Sequence, residues 1–125
     1  MEVVAVLGAS NDSSRYSYQA MELLGQYGHQ ALPVHPREVE VLGKKVIHQL
    51  KDLAGQKIDT VTVYVNAAIS DKYETDFLLL KPTRVIFNPG AENPRLARIL
   101  AKAGIKIENA CTLVLLRTNQ FSANP

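Results

Sequence analysis

The residues of this chain that are best suited to chemistry form a short segment of small and polar side chains near its start. Gly8 permits a tight turn, and the small side chains of Ala9 and Ser10 let backbone N–H groups approach a phosphate group. Arg15 adds a guanidinium group, which forms paired hydrogen bonds with phosphate oxygens. This segment predicts a phosphate-binding loop, with the candidate contacts Gly8, Ala9, Ser10, Asn11, Ser13 and Arg15.

The spacing within this segment matches only part of a dinucleotide-binding fingerprint. In the pattern G-x-G-x-x-G, Gly8 occupies the first glycine position, whereas Ser10 and Ser13 stand at the other two. The serine hydroxyls can donate to a phosphate, or one of them can cap an ordinary turn between a strand and a helix. The apolar strand before the segment and the helical pattern after it favour phosphate binding.

A second candidate segment, residues 33–37, follows the next predicted strand. A typical NAD site places Asp or Glu here to bind the ribose diol, but this chain has His35, with Arg37 close by. Both can bind a ribose phosphate, His35 either protonated or as a neutral N–H donor. Such a phosphate is the 3′-phosphate of coenzyme A or the 2′-phosphate of NADP. The alternative is that this segment is only a rigid loop with a histidine on the surface. Two prolines hold this segment in an extended shape that can flank an adenine. The candidate contacts here are Val34, His35, Pro36 and Arg37.

Two more segments follow predicted strands. Val65 and Asn66 are candidate ligand contacts. The alternative is that they only connect a strand to the next helix. Gly90 permits either a close backbone approach or a positive φ angle. Asn93 is expected to cap a helix rather than to contact a ligand.

The elements that must position these segments alternate between strands and helices. Continuous apolar or β-branched runs predict five strands, at residues 3–7, 30–34, 60–65, 84–87 and 105–108. The sequence also predicts three helices. The first ends at Gly28, and the second follows Ser70, which is its expected N-cap. The third begins at Asn93 and ends at Gly104. This alternation predicts an α/β fold, a three-layer, Rossmann-like, doubly wound sheet of about five mainly parallel strands, in a single domain over residues 1–125. In such a sheet the ligand lies at the carboxyl ends of the strands.

Two stretches are less regular. Residues 41–43 predict a turn, residues 45–47 a short extended piece, and residues 50–54 one or two helical turns. The chain after Cys111 is apolar as far as Leu116. We expect this tail to pack on the sheet, with covering of a partner surface as the alternative.

The composition argues against several classes of protein. The formal net charge is +2 and the basic residues are scattered, which disfavours nucleic-acid binding. No apolar run approaches the ~20 residues of a membrane span, and the start of the chain lacks the pattern of a signal peptide. The single cysteine suits a reducing compartment, so we expect a soluble, cytoplasmic protein.

No catalytic or metal-binding pattern accompanies the candidate loops. The histidines and Cys111 lack metal-ligand spacing, and the chain has neither a G-x-S-x-G elbow nor a P-loop. Cys111 is expected to be a small buried hydrophobic residue. Asp71, Glu74 and Asp76 are expected to be solvated charges on a helix face. We therefore predict no catalytic residues and no metal site.

Several motifs resemble those of the small stand-alone CoA-binding domain proteins, which are similar to the N-terminal domain of the succinyl-CoA synthetase α subunit. The resemblance covers nearly the whole chain and is strongest in residues 8–18 and 33–43. Two positions depart from the family pattern, because Asn is common where His35 stands and Gln is common where Asn88 stands. The motifs are residues 6–10, 15–18, 33–36, 40–43, 50–53 and 88–93, together with Cys111.

The resemblance implies a Rossmann-like fold and coenzyme A as the ligand. It implies that the pyrophosphate lies on the segment that begins at Gly8, and that the adenosine end lies near His35 and Pro36. It also adds Ser17 and Tyr18 to the candidate contacts. The activity of succinyl-CoA synthetase is not implied, because that reaction needs a phosphorylated histidine in a further domain and a second subunit.

Three hypotheses follow for the function. The first is a module that binds coenzyme A or an acyl-CoA without catalysis of its own. The second is an NADP-linked oxidoreductase, which a ribose-phosphate site would also suit. The third is an interaction or regulatory subunit that has lost its ligand and works in a homo-oligomer or with a partner subunit.

Overall fold

A computed structural model describes residues 1–122 of the chain, so the last three residues of the predicted domain lie outside it. Within the described part, the strands are β1 (Val3–Leu7), β2 (Gln30–Val34), β3 (Glu40–Val41), β4 (Lys44–Lys45), β5 (Thr60–Val63), β6 (Arg84–Phe87) and β7 (Lys106–Asn109). The α-helices are α1 (Tyr16–Gln26), α2 (Ala67–Ser70), α3 (Glu74–Leu80), α4 (Pro94–Lys102) and α5 (Thr112–Arg117). Short 3₁₀ helices occupy Leu50–Leu53 and Asp71–Tyr73.

Five of these strands form one parallel sheet in the order β2-β1-β5-β6-β7. The chain runs from β1 outward to β2, and then returns across β1 to build β5, β6 and β7 on the other side. This reversal between β1 and β5 is the switch point of a doubly wound sheet, where ligands bind at the carboxyl ends of the strands. The predicted α/β, Rossmann-like fold is therefore confirmed.

A hydrophobic core lies on each face of the sheet, because the central strands are apolar at successive positions. Ala5 and Leu7 pack with side chains of α3 and α4 on one face. Val4 and Val6 pack with α1 and α5 on the other. Burying a side chain such as leucine contributes about 1.5–3 kcal/mol, so strands with two buried faces read as continuous hydrophobic runs.

Two helix ends follow local chemistry and confirm the predictions. Gly28 comes directly after the C-cap of α1 with a φ of +86°, the left-handed geometry that ends a helix. Asn93 caps α4 through its side-chain oxygen, which accepts from the Leu96 N–H at 3.1 Å, and Pro94 is the first helical residue.

The helical segment predicted behind Ser70 begins earlier than the sequence pattern indicates. Strand β5 ends at Val63 rather than at residue 65, so the chain turns sooner and Asn66 becomes the cap. Its side-chain oxygen accepts from the Ile69 N–H at 3.0 Å. Ser70 lies inside the segment instead, where its hydroxyl oxygen accepts from Asn93 Nδ2 at 2.8 Å. The prediction of Ser70 as an N-cap is therefore wrong.

Residues 40–45 form an antiparallel hairpin that the sequence pattern did not predict as a pair. The predicted turn lies between β3 and β4, and the extended piece after it pairs with the main sheet through a parallel bridge between Val34 and Ile47. The predicted helical turns are the 3₁₀ helix at Leu50–Leu53.

The apolar tail packs on the domain, as predicted, and does so as helix α5. Leu113 and Leu116 are buried, whereas Val114 is exposed. Cys111, which precedes α5, is half-buried, so the prediction of a fully buried cysteine is wrong. Its position at the start of the helix leaves one side of the residue open.

Asp71, Glu74 and Asp76 are partly exposed, as expected of solvated charges, and each also forms a hydrogen bond or an ion pair. Arg95 pairs with both Asp71 and Glu74 at 3.0 Å, and Asp76 accepts from the Lys51 N–H at 3.0 Å. Hydrogen bonds from Asn93 and Arg95 lower the pKa of Asp71 below its ordinary value. These contacts join α4 to the segment after β5.

A buried arginine holds the amino-terminal edge of the sheet. Arg84 is 1% exposed and donates to Thr60 Oγ1 at 3.0 Å. It also pairs with Glu2 at 3.2 Å and with Glu108 at 3.3 Å. The ring of Phe121 covers it, with its centroid 4.6 Å from Arg84 Cζ. These contacts tie both ends of the chain to the sheet.

Within residues 1–122, no helix combines the length and the apolar character that crossing a bilayer requires. The same residues contain no group of three or more His, Cys, Asp or Glu side chains placed to hold a metal ion.

Candidate nucleotide-binding site

A cleft of about 520 Å³ opens at the carboxyl edge of the sheet, over the switch point between β1 and β5. Its wall comes from the loops that follow β1, β2, β5 and β6. The volume lies within the ~300–1,000 Å³ of small-molecule sites. Its position is the one that the doubly wound topology predicts for a ligand.

Gly8 is the residue at which the first loop leaves the sheet, and only glycine suits this place. Its φ is +92°, and a Cβ atom built on it would lie 2.8 Å from Val65 Cγ1. The N–H groups of Gly8 and Ala9 both donate to the Val34 carbonyl, at 3.0 and 3.1 Å. The loop therefore starts in close contact with the ends of β2 and β5, where a side chain would displace it.

Asp12 shapes the rest of the β1–α1 loop. Its carboxylate accepts from the Ser14 N–H at 3.0 Å and from the Ser14 hydroxyl at 2.7 Å. Its backbone N–H donates to Ser10 Oγ at 3.0 Å, and its carbonyl accepts from the Arg15 N–H at 3.0 Å. The bonds from Ser14 lower the pKa of Asp12, so the carboxylate that organises the turn is ionised at neutral pH. Ser10 accepts one bond and keeps its hydroxyl hydrogen for a ligand.

Helix α1 begins at the cleft, and its N-terminus has no side-chain cap from the described residues. Within the described residues, no side chain accepts from its first N–H groups, and its first turn contains no acidic residue. Three other helices follow strands at the same edge: Asn66 caps α2, Asn93 caps α4, and Asn88 Oδ1 accepts from the Thr112 N–H of α5. Free N–H groups and the helix dipole are the features that attract an anion to a helix start.

His35 lines the cleft, and its hydrogen bonds determine which ring nitrogen carries the proton. Its Nδ1 accepts from the backbone N–H groups of Arg37 and Glu38, both at 3.0 Å. A nitrogen that accepts two hydrogen bonds carries no proton, so the ring proton lies on Nε2. Burial lowers the pKa of His35, and the nearby Glu38 carboxylate only partly opposes this effect.

This arrangement explains how His35 fits a position where Asn is common in the family that the chain resembles. An asparagine Oδ1 also accepts from the N–H groups two and three residues further along the chain. His35 Nδ1 makes the same pair of bonds. The two residue types therefore support the same turn, while histidine adds the Nε2–H donor.

The fourth loop is held by an asparagine that does not line the cleft. Asn88 is buried; its Nδ2 donates to Thr62 Oγ1 at 2.7 Å and to the Val63 carbonyl at 2.9 Å. Further along the loop, the Gly90 N–H donates to the Glu92 carboxylate at 2.9 Å. This loop therefore uses its own polar groups internally, unlike the start of α1.

The structure brings nine of the predicted contacts together in the cleft wall and leaves six outside it. The nine are Gly8, Ala9, Ser10, Arg15, Ser17, His35, Val65, Asn66 and Gly90.

The six others have different surroundings. Val34 is buried, and its carbonyl anchors the first loop. Tyr18 is half-buried in α1 and packs against the core on that face of the sheet. Asn11 uses its N–H toward Glu38. The remaining three are exposed on the surface, namely Ser13, Pro36 and Arg37.

Sequence reasoning missed five residues of the wall. Tyr16 and Ile69 are large side chains, 70% and 41% exposed, in the first turns of α1 and α2. The signal that could have identified them is their sequence position, because each follows one of the candidate loops directly. Tyr64 lies beneath them, and burial raises its pKa to about 12. The other two missed residues are Pro89 and Ala91.

Comparison with known proteins gives the same family as the motifs. A family model described as CoA binding domain matches residues 2–117. The α subunit of acetate–CoA ligase [ADP-forming] II of Pyrococcus furiosus is 36% identical over 63 residues. These are 50% of this chain and only 14% of that subunit, so the chain corresponds to a small part of the ligase.

Two solved structures share the fold over almost their whole length. An uncharacterized protein is 42% identical, with a TM-score of 0.91 over 97% of this chain and 98% of that one. The Thermus thermophilus protein cell-free ID.343 is 28% identical, with a TM-score of 0.86 over 96% and 90%. The resemblance noted in the sequence is confirmed, and the chain belongs to the CoA-binding domain family.

Proposed function

We propose that this protein binds coenzyme A or an acyl-CoA in the cleft, with the pyrophosphate on the β1–α1 loop. The observation that carries this proposal is that α1 opens onto the cleft uncapped, whereas α2, α4 and α5 are capped at the same edge. Uncapped N–H groups at a helix start attract a pyrophosphate. Membership of the CoA-binding domain family indicates coenzyme A as the source of that anion.

The charges around the cleft support one direction for the ligand. Among the described lining residues, Arg15 alone carries a positive charge, and it stands at the start of α1. The adenosine end then lies beside the neutral donor of His35. The uncharged pantetheine arm lies along Val65 and Pro89, where the Gly90 N–H is already bonded to a carboxylate.

The 3′-phosphate is assigned to Arg37 on the surface beside His35. Arg37 is exposed and outside the cleft wall, so it reaches a ribose phosphate from the solvent side. A neutral His35 donates one hydrogen bond to such a group but adds no charge. Arg37 is therefore the residue expected to distinguish coenzyme A from dephospho-coenzyme A.

We also propose that binding occurs without a reaction catalysed by this chain. The residues that line the cleft include no pair of carboxylates and no cysteine. Three expectations remain predictions from the sequence: a cytoplasmic location, a homo-oligomer and a partner subunit.

Calorimetry with coenzyme A, dephospho-coenzyme A, NADP and NAD tests the ligand, using protein that has been unfolded and refolded to remove any bound molecule. Saturable binding of coenzyme A, with weaker binding of dephospho-coenzyme A, is the expected result. A ligand at 100 times its Kd should also stabilise the fold by ~2.7 kcal/mol in melting curves. Binding of NADP with coenzyme A excluded would favour the oxidoreductase hypothesis, and binding of none of the four would contradict the nucleotide site.

A glycine substitution tests whether the β1–α1 loop is the binding element. Gly8→Ala introduces a Cβ only 2.8 Å from Val65 at a φ of +92°; this should destabilise the fold by about 1–2 kcal/mol. We expect it to weaken coenzyme A binding more than tenfold (~1.4 kcal/mol). Gly25→Ala in α1 is the matched control, since its Cβ would meet nothing within 4 Å. It should stabilise the helix by about 0.5–1 kcal/mol and leave binding unchanged.

A further inference from the structure

A short hydrogen bond joins the two loops that carry most of the candidate contacts. The Glu38 carboxylate accepts from the Asn11 N–H at 2.6 Å, across 27 residues of sequence. Asn11 belongs to the β1–α1 loop, whereas Glu38 lies between β2 and β3. Neither residue lines the cleft, so the bond lies outside the space that a ligand would fill.

The main chain of Glu38 is itself held by two histidines. Its N–H donates to His35 Nδ1 at 3.0 Å, and its carbonyl accepts from His48 Nε2 at 3.0 Å. Because both backbone groups are bonded, the carboxylate extends from a fixed point of the chain.

The bond to Glu38 meets the β1–α1 loop at the start of its turn. Asp12 follows Asn11 and is bonded to Ser10 on one side and to Arg15 on the other. Ser10 and Arg15 both line the cleft. Glu38 therefore anchors, from outside, the turn that presents these two side chains to a ligand.

We propose that Glu38 is the positioning residue of the β1–α1 loop, whose carboxylate orders the phosphate contacts before the ligand arrives. This inference rests on the proposed function and states how its phosphate site is maintained. A loop that is ordered in advance loses less conformational entropy on binding, which raises affinity without any contact to the ligand. Since the segment of Glu38 also carries His35, the same bond connects the adenosine side of the site with the phosphate side.

Two substitutions separate the hydrogen bond from the negative charge. Glu38→Gln keeps an oxygen that accepts from Asn11, whereas Glu38→Ala removes both the acceptor and the charge. We expect E38A to weaken coenzyme A binding about tenfold, and E38Q to stay within about threefold of the wild type. Rescue by the amide is a result that a purely electrostatic role of Glu38 would not give.

Glu40→Ala is the matched control for the lost charge. Glu40 is exposed two residues further along, and within residues 1–122 its side chain makes no hydrogen bond or ion pair. This variant should bind coenzyme A as the wild type does.

Amide NMR without ligand tests the bond itself. The Asn11 amide proton should exchange with solvent about tenfold faster in E38A than in the wild type, E38Q and E40A. Unchanged amide signals from β1 and β5 show that each variant is folded. Equal exchange of Asn11 in E38A and the wild type overturns the inference, and so does wild-type affinity of E38A for coenzyme A. A wild type that does not bind coenzyme A overturns the proposed function, while the exchange of Asn11 still decides whether Glu38 orders the loop.

Discussion

At the scale of single residues, the turn that His35 supports depends on the neutral form of its ring. Its Nδ1 supports the turn after β2 by accepting two backbone hydrogen bonds. Protonation of Nδ1 would break both bonds, because a protonated ring nitrogen can no longer accept. Burial lowers the pKa of His35 from its ordinary 6.5, so the folded protein keeps this state to lower pH than the unfolded chain does.

The stability of the fold should therefore fall on acidification below about pH 6.5. The unfolded chain binds a proton on this histidine first, so the stabilisation is fully present above pH 6.5 and is lost as the pH falls toward the folded value. His35→Asn keeps an acceptor for the turn and removes the titration. Urea unfolding at about pH 7.5 and about pH 5 should show a smaller loss of stability for H35N than for the wild type. Some loss should remain, because burial also lowers the pKa of His29; an equal loss in both proteins would contradict the role of His35.

At the scale of elements, α1 differs from the other helices at its edge of the sheet. Asparagine side chains satisfy the starts of α2, α4 and α5, whereas no side chain of the described residues caps α1. A helix end that is left open in the free protein is less stable than a capped one. Under the proposed function, the open start of α1 lowers stability and serves ligand binding.

An acidic residue in the first turn of α1 should reverse that balance. Tyr16→Glu places a carboxylate at the helix start, which should stabilise the fold by about 0.3–1 kcal/mol. The same charge should repel a pyrophosphate and weaken coenzyme A binding at least tenfold (~1.4 kcal/mol). Thermal melting and calorimetry measure the two effects.

Two controls separate charge from the loss of the ring. Tyr16→Gln removes the exposed ring without adding a charge, and Gln26→Glu adds the same charge in the last turn of α1. Both should bind coenzyme A more tightly than Y16E. Equal affinities for Y16E and Y16Q would show that the anion does not lie at the helix start.

At the scale of the whole molecule, the two edges of the sheet are built differently. The carboxyl edge keeps an open cleft, whereas the amino edge is closed around Arg84. Arg84 bonds to Glu2, which is 82 residues away in sequence, and packs under Phe121. The ion pairs of Arg84 and the proposed ligand site thus lie at opposite edges of one sheet.

Arg84→Ala should destabilise the protein by about 3 kcal/mol, because it leaves two carboxylates without their buried partner. The folded variant should still bind coenzyme A with wild-type affinity, since the cleft lies at the other edge. Lys106→Ala is the control: Lys106 is 58% exposed and pairs with Glu108 at 3.4 Å, so its loss should change stability by less than about 1 kcal/mol. Similar urea midpoints for R84A and K106A would contradict this account.

The sequence by itself determined the features that depend on neighbouring residues. Apolar runs identified β1, β2 and β6 with the bounds seen in the structure, because strands buried on both faces need such runs. Gly28 and Asn93 marked helix ends through local backbone chemistry. The order of these elements was enough to predict a doubly wound sheet and the edge that holds the cleft.

Tertiary structure alone decided which loop residues face the cleft and which brace it. Ser10 lines the wall, while the next residue, Asn11, turns outward to Glu38. The tautomer of His35 and the bonds of Arg84 likewise depend on groups that only folding brings together. The physical reason is that strand order and loop packing set these distances, and spacing along the chain records neither the neighbour of a loop nor the direction of its side chains.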